Sequence, residues 1–600
     1  MNPSTMTRRA LLIGVPGGGI NVGLAAERLT PVLTTLGFTI ERRTDNRATR
    51  AGILAGLDRL IELSEPGDAV FIHYFGHGGR VQFTDVDTDQ VFGYVTCTKS
   101  LRGAFEAVLD VELSARLSEL DARCGNVTIM LDCCFSAELV RSGEPDVPLA
   151  SHRLEPAPAW AAELSMLSMA PKVDLALDSH PRIVRLCAAS PKREGFAAVR
   201  GGRHIGRLTE AFLAALEEVG EDWTKLCWDT FSHRLREHVV EALAMEGQWV
   251  ALAGPRSRRL FSTQTVELPG SVGFVPSDEP GVGWLRAGWQ QGVGVGDRWA
   301  ILDPRVDEAP RILVEATVSA VERNRATLQL AATSEPLRAG MPAIVLGLHE
   351  PLAVEVEDPA WIASSAWVRA ADSASARVRR EGEALIVEDL AGTRPPLRVL
   401  DSARALALLE ERARVEALDR SLAGQDQSEC PLVWSWSLID APGRALPDSG
   451  ATLHAGDRIR VDLRLPADAP PFNWFVSLVL VDVAGQLRLL STRMPEGIEL
   501  APGDAEVVGV RLGRRGAQGI ELRWAAEVEA DEGPASLRIL ASRRPIELAH
   551  IVRPQALDDD DALALQGLTG ETMRDRKPEH TRGCAWGRFD FCLRRTPRPD

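Results

Sequence analysis

No Cys-x-x-Cys pair occurs in the sequence, and its nine cysteines are spread thinly. An odd, dispersed set excludes a disulfide scaffold and fits a reducing cytosol; zinc-ligand spacing is absent as well. No apolar run reaches the roughly 18–20 residues that a membrane-crossing helix needs, so no membrane partner is expected. Arg8-Arg9 followed by Ala10–Val15 loosely mimics a signal peptide, but the apolar stretch is short and runs into Pro16-Gly17-Gly18-Gly19. It reads as a first β-strand, and the protein is expected to stay in the cytoplasm. Excess positive charge is also missing: 68 Lys and Arg against 84 Asp and Glu give a net charge of −16, which argues against nucleic acid as a partner. The glycines after Gly14 lack the Lys-Ser/Thr of a phosphate loop and the GxGxxG spacing, which disfavours a nucleotide site. No internal repeat is found beyond a shared β-rich texture.

Charged residues make up 25% of the chain and the AVILMFWYC group 45%, the balance of a globular protein, and 600 residues leave room for roughly four domains. Up to residue 262, strand and helix patterns alternate. Ala10–Val15, Ala69–Phe75, Val127–Leu131 and Ile183–Ala188 read as continuous apolar strands, with Phe38–Arg42 a shorter one. Val22–Leu36 and Ala48–Leu63 carry apolar residues at helical spacing, as do Leu113, Leu117 and Leu120; two more helices are predicted around Leu208–Val219 and Trp223–Met245. The pattern predicts an α/β fold with a mostly parallel sheet covered by helices on both faces. In such sheets function sits at the carboxyl ends of the strands.

Two stretches interrupt the alternation: an acidic loop and short strands over 79–109, and a Pro-, Ser- and Ala-rich segment over 141–182. A segment as long as the second inside a compact domain is commonly functional or disordered. Past residue 262 the texture turns β-rich. We divide the chain into 1–262, a small β barrel or sandwich over 263–350, a small α/β domain or linker over 351–429 with a helix at Ala403–Leu422, a β-sandwich-like domain over 430–555, and a tail over 556–600 holding the acidic run Asp558–Asp561.

Two motifs lie at strand ends. Ala69–Phe75 runs into Gly76-His77-Gly78-Gly79, where flanking glycines give the imidazole room and let a backbone N–H approach a reacting group. Val127–Leu131 runs into Asp132-Cys133-Cys134-Phe135-Ser136-Ala137. Two strands of one parallel sheet would thus deliver a His and a Cys to the same edge. Nucleophilic thiol chemistry needs this pair, because an imidazole promotes thiolate formation and later protonates the leaving amine. Cys133 reads as a buried neighbour and His73 as packed core. Without the His motif, a cysteine at a strand end would itself read as core.

On these residues the chain resembles the caspase–metacaspase family, specifically its bacterial caspase-like members. Tyr74-Phe75-Gly76-His77-Gly78 and Asp132-Cys133-Cys134-Phe135-Ser136 stand where the family carries its His and Cys signatures, in the same chain order and 57 residues apart. Ala188-Ala189-Ser190 with Glu194, Gly206-Arg207-Leu208-Thr209 at the start of a helix, and Gln248 to Phe261 as a closing strand extend the likeness over about 7–262. The resemblance implies a caspase-like sheet, Cys134 as nucleophile, His77 as acid and base, and the N–H groups of Gly78 and Cys134 as oxyanion hole. It also implies Asp132 at the base of a pocket for a substrate Arg or Lys, a role a carboxylate suits; holding the loop is the plainer alternative. Ile20–Ala26 lacks the second acid the family has, Phe135 replaces a common His, and Ala137 replaces Gly. Asp85, Asp87 and Asp89 resemble a metacaspase calcium region only in part, since Phe92-Gly93 stands where Asp-Gly is usual; a solvated turn is the first reading and a calcium site the second.

Residues 430–553 resemble, more loosely, a β-rich domain often fused to bacterial caspase-like peptidases, through Leu453-His454-Ala455-Gly456-Asp457, Trp474–Asp482 and Ala541-Ser542. They show no catalytic constellation, and recognition or regulation is the expected role. The leading expectation is a cysteine endopeptidase acting on protein substrates after Arg or Lys, in bacterial stress or immune signalling. Basic residues Arg141, Arg153, Lys172 and Arg182 would let an activating protease, or the enzyme itself, cut the 141–182 segment. A catalytically inactive caspase-like scaffold that binds partner proteins is the second expectation, and a β-domain adhesin or sensor the third.

Overall fold

The computed structural model describes residues 6–16, 22–85, 88–98, 107–133, 147–148, 182–188, 196–243, 250–266, 270–306, 310–423, 425, 430–439, 445–491, 496–509, 519–548, 550–552 and 586–596. The chain forms two compact units, one of Met1–Leu268 with Pro304–Pro310 and one of Pro269–Asp303 with Arg311–Asp600.

The first unit runs β1 (Arg8–Gly14), α1 (Gly23–Thr35), β2 (Phe38–Thr44), α2 (Arg50–Leu63), β3 (Ala69–Phe75), β4 (Gly78–Asp85), β5 (Thr88–Thr96), β6 (Ala107–Leu109), α3 (Asp110–Cys124), β7 (Val127–Asp132), β8 (Val147–Pro148), β9 (Val184–Cys187), β10 (Phe196–Arg200), β11 (Arg203–Gly206), α4 (Arg207–Val219), α5 (Trp228–Leu243) and β12 (Ala251–Ala253). Its central sheet has the order β12-β9-β7-β3-β1-β2. Every pair is parallel except β12 with β9, which is antiparallel at the edge.

Strand alternation divides the core in two. Ala10, Leu12, Phe71, Phe75 and Met130 pack with residues of α1, α4 and α5, such as Leu29, Phe212 and Phe231. Their neighbours Leu11, Ile13, Val70, Ile72, Tyr74, Ile129 and Leu131 pack with Ile53 and Leu57 of α2 and Leu117 and Leu120 of α3. All seven residues of β3 are buried, the signature of a strand covered on both faces. The helix starts follow local chemistry: Gly52 N donates to Thr49 Oγ1 at 3.1 Å to open α2, and Leu109 N donates to Glu112 Oε2 at 3.1 Å to open α3.

The sequence reading needs correction at the edges. Among the described residues of the closing segment from Gln248 to Phe261, only Ala251–Ala253 is strand. The 79–109 stretch holds an antiparallel sheet β4-β5-β6 rather than a loop followed by strands. β-branched and aromatic residues such as Val81, Phe83, Val91 and Tyr94 have high strand propensity, and Asp85 and Asp89 lie near the facing ends of β4 and β5.

The second unit contains a closed six-stranded barrel between Val272 and Gly347. A five-stranded sheet between Leu352 and Val399 follows, with the helix α6 (Ser402–Leu422). Two further sheets are built from strands between Val433 and Arg594. Trp586–Arg594, assigned to the tail from sequence, is a strand lying between Ser449–His454 and Glu532–Ser542. Phe589, Phe591 and Leu593 alternate into the core, each contributing about 2 kcal/mol by burial; that period of two outweighs the polar sequence before it. The acidic run Asp558–Asp561 lies outside the described residues.

Candidate active site

The two motif-bearing strands are hydrogen-bonded neighbours. β3 and β7 run parallel with Phe75 opposite Asp132. His77 follows Phe75, and Cys134 follows Asp132, by two positions each along the chain. Cys134 itself lies outside the described residues. Cys133 is fully buried in the core shared with α2 and α3.

His77 is 4% exposed, and its backbone is held by three donors. Thr96 N reaches the His77 carbonyl at 3.0 Å, Tyr74 Oη at 2.7 Å and Thr96 Oγ1 at 3.1 Å. The Tyr74 ring passes beneath residue 76 to do this: a Cβ added at Gly76 would sit 2.8 Å from Tyr74 Oη and 3.1 Å from the Val15 carbonyl. Glycine at 76 therefore leaves space for the phenol that anchors the next residue. Burial raises the phenol pKa well above its ordinary value, and the nearby Cys133 adds to this, so the hydroxyl remains a donor.

Behind this edge lies a second polar group. Asp132 is completely buried. Its Oδ2 accepts Thr209 N at 2.7 Å and Thr209 Oγ1 at 2.6 Å. The carboxylate thus caps α4 from another strand, at the helix end where negative charge is favoured, because the N-cap residue Gly206 has no side chain to do so. With its proton given to Asp132, Thr209 Oγ1 receives Nε2–H of His73, 2.9 Å away. Burial pushes the His73 pKa down to about 3, so the ring is neutral. Burial pushes Asp132 up to about 7, against the two Thr209 bonds that lower it. Asp132 Oδ1 and His73 Nδ1 have no hydrogen-bond partner among the described residues.

Residues 27–142 match the family model of the metacaspase, peptidase C14 domain. Over these residues the first unit resembles a caspase-like peptidase domain. The chain is similar to Metacaspase-1 of Cryptococcus neoformans var. neoformans serotype D (strain JEC21 / ATCC MYA-565), 34% identical over 88 residues, or 15% of this chain and 19% of that protein. It is similar to Metacaspase-1 of Schizosaccharomyces pombe (strain 972 / ATCC 24843), 33% identical over 90 residues, or 15% of this chain and 20% of that protein. The matches thus span about a fifth of these relatives. The solved structure of protein GSU0716 from Geobacter sulfurreducens shows 17% identity and a TM-score of 0.32 over 43% of this chain and 97% of that one, too low to carry an argument.

Within the caspase-like domain, Gly78 opens β4. Asp85 and Asp89 lie on the two strands of the β4–β5 hairpin next to its turn, opposite Thr88 and Thr84; Asp87 lies outside the described residues. Among the described residues, no group of three or more His, Cys, Asp or Glu side chains is placed to hold a metal, and no helix is long and apolar enough to cross a membrane. Sequence reasoning missed Tyr74 and Thr96 as anchors of His77, and Thr209 as the partner of both Asp132 and His73. Only the glycine two positions after Tyr74 hinted at the first.

Two predictions arise here. Tyr74→Phe removes one hydrogen bond from the His77 carbonyl and is expected to cost the caspase-like domain about 1 kcal/mol. The comparison of thermal midpoints of wild type and Tyr74→Phe checks this. The second concerns pH. A folded Asp132 that holds its proton up to about 7 binds more protons than the unfolded chain between about pH 4 and 7, so its contribution to stability declines as pH rises through that window. His73, depressed to about 3, acts oppositely: its contribution is present above about pH 6.5 and declines on acidification. Asp132→Asn removes the first trend and leaves the second. The variant is therefore expected to lose stability on acidification from pH 6.5 to 4 more steeply than wild type, as followed by thermal midpoints across that range. Parallel curves would contradict it.

Proposed function

We propose that the caspase-like domain is a cysteine endopeptidase in which the Cys134 thiolate attacks the scissile carbonyl and His77 acts as acid and base. The single observation that carries this reading is the β3–β7 register, Phe75 opposite Asp132. Phe75 and Asp132 face each other on strands about 4.8 Å apart, and His77 and Cys134 each follow two positions later in the sequence; we infer that imidazole and thiol meet at this edge. In this reading the tetrahedral oxyanion is held by the N–H groups of Gly78 and Cys134. The imidazolium of His77 protonates the departing amine, leaving a thioester. His77 then takes a proton from water, which attacks the thioester and releases the acid and the thiol.

We further infer cleavage after Arg or Lys. Asp132 Oδ2 is committed to Thr209, and Oδ1, buried and without a hydrogen-bond partner among the described residues, is the atom this reading assigns to a substrate cation, which would have to displace what covers it. Cleavage within 141–182 as an activating step, a setting in bacterial stress or immune signalling, and a place in the cytoplasm complete the reading; they rest on the family resemblance and on sequence. The test is a peptide-library cleavage assay of wild type and Cys134→Ala, with and without calcium. Cleavage after basic residues by wild type alone is expected. Cleavage only after acidic residues would remove the role of Asp132 but not the enzyme class; identical patterns from both proteins would remove the class.

A further inference from the structure

The second unit encloses a polar cavity of about 190 Å³, lined among others by Arg394, Arg412, Arg588, Glu416 and Asp419. Both lining carboxylates are already engaged. Glu416 Oε1 takes Arg412 Nε at 2.9 Å. Asp419 takes the fork of Arg538, which is 1% exposed, at 2.8 Å on each oxygen, and Arg588 Nη1 at 3.3 Å. Arg412 is balanced further by Asp389 at 2.8 Å, and Arg588 by Asp590 at 2.6 Å.

Arg394 stands apart. Its guanidinium donates to the main-chain carbonyl of Asp482 at 3.3 Å, and no ion pair joins it to any carboxylate among the described residues. Its backbone N–H is fixed on Asp389 Oδ2 at 3.0 Å. Asp482 Oδ1 accepts the main-chain N–H groups of Ala484 and Gln486, each at 2.9 Å, and its carboxylate acts on Arg394 through space without an ion pair. Burial holds the Arg394 pKa below its ordinary value, Arg538 and Arg412 lower it further, and Asp482 and Asp389 offset them in part. A largely buried guanidinium without a direct ion pair is favoured by an anion that joins it. Arg394 Nε and Nη2, Arg412 Nη1 and Arg588 Nη2 carry N–H groups unspent among the described residues, around one cavity.

We propose that this cavity binds a small oxyanion, the carboxylate or phosphoryl group of a small molecule, with Arg394 as its main fork and Arg412 and Arg588 beside it. Planar guanidinium groups match both kinds of oxyanion, in two parallel hydrogen bonds each. The cavity has room for one such group and a few attached atoms, which makes this unit a ligand-sensing one.

The test is calorimetric titration of the full chain at constant ionic strength with inorganic phosphate and, separately, acetate, with chloride as the background salt. Saturable one-site binding of at least one anion is expected; phosphate alone would identify a phosphoryl ligand and acetate alone a carboxylate. Arg394→Met is expected to abolish it and Arg394→Lys to weaken it about tenfold, since a lysine keeps charge but loses the fork. Arg377→Met, on the five-stranded sheet and paired with Glu355, should bind as wild type does. No saturable binding of either anion by wild type, or undiminished binding by Arg394→Met, overturns the proposal. Should the methionine variant not fold, undiminished binding by Arg394→Lys overturns it equally.

Discussion

His77→Ala is expected to lower kcat/KM for a peptide substrate by about 10⁴-fold, Cys134→Ala to lower it at least as far, and the double variant to be no worse than Cys134→Ala. The reasoning is chemical before it is structural. A free thiol with an ordinary pKa near 8.5 is mostly protonated at neutral pH and leaves no acid to protonate a departing amine. Removing either partner therefore removes the same step, and the two losses do not add. The register of β3 and β7 makes this pair, rather than another His and Cys, the one to test. His73, the histidine within β3, is 1% exposed, neutral and bonded to Thr209; the described cysteines of the first unit, Cys97, Cys124, Cys133, Cys187 and Cys227, are buried. Hydrolysis of a fluorogenic peptide, with circular dichroism to confirm folding, checks the prediction. A His77→Ala protein within about tenfold of wild type would show that another group serves as base.

Legibility in the sequence followed burial. Ala69–Phe75 was read with both ends correct, because a strand covered on two faces is apolar at every position and its limits are sharp. The half-covered elements were harder. Ala251–Ala253 is a three-residue edge strand whose surroundings resemble turn, and the acidic positions of the 79–109 stretch masked a hairpin whose pairing is non-local. Trp586–Arg594 was hidden by the long polar sequence before it. At the candidate site, the proposal of His77 and Cys134 rests on local motifs. The Asp132–Thr209–His73 chain could not be read that way, since Thr209 lies 77 and 136 positions from its partners and meets them only after α4 packs on the sheet. A threonine at a helix start reads as an ordinary cap until the carboxylate that caps it is known to come from elsewhere.

That same chain yields the largest stability effect. Gly206→Ala is expected to destabilise the caspase-like domain by about 3 kcal/mol or more. The reason is space rather than backbone freedom: Gly206 has φ −64° and ψ 145°, open to any residue, but a Cβ there would overlap the Asp132 carboxylate. The carboxylate cannot move away at no cost, because it is fully buried and both bonds to Thr209 hold the Oδ2 that the new Cβ would strike. Moving it would strand an acid in the core and uncap α4 together. Thr209→Val tests the bond without the clash: it takes the hydroxyl from Asp132 and the acceptor from His73 at nearly constant volume, at an expected cost of about 2 kcal/mol. Thr209→Ser keeps the hydroxyl and is expected to lie within about 1 kcal/mol of wild type. Because the chain has two units, one global unfolding energy is not defined. Hydrogen exchange in the first turn of α4 is the sharper measurement, with protection expected to fall about thirtyfold in Thr209→Val. Unchanged protection there, or an undisturbed Gly206→Ala, would mean that Asp132 does not bear on α4. If the prediction holds, the strand leading to residue 134 and the helix start at 207 are held by one buried carboxylate, so that disturbing the helix disturbs the chain just before the proposed nucleophile.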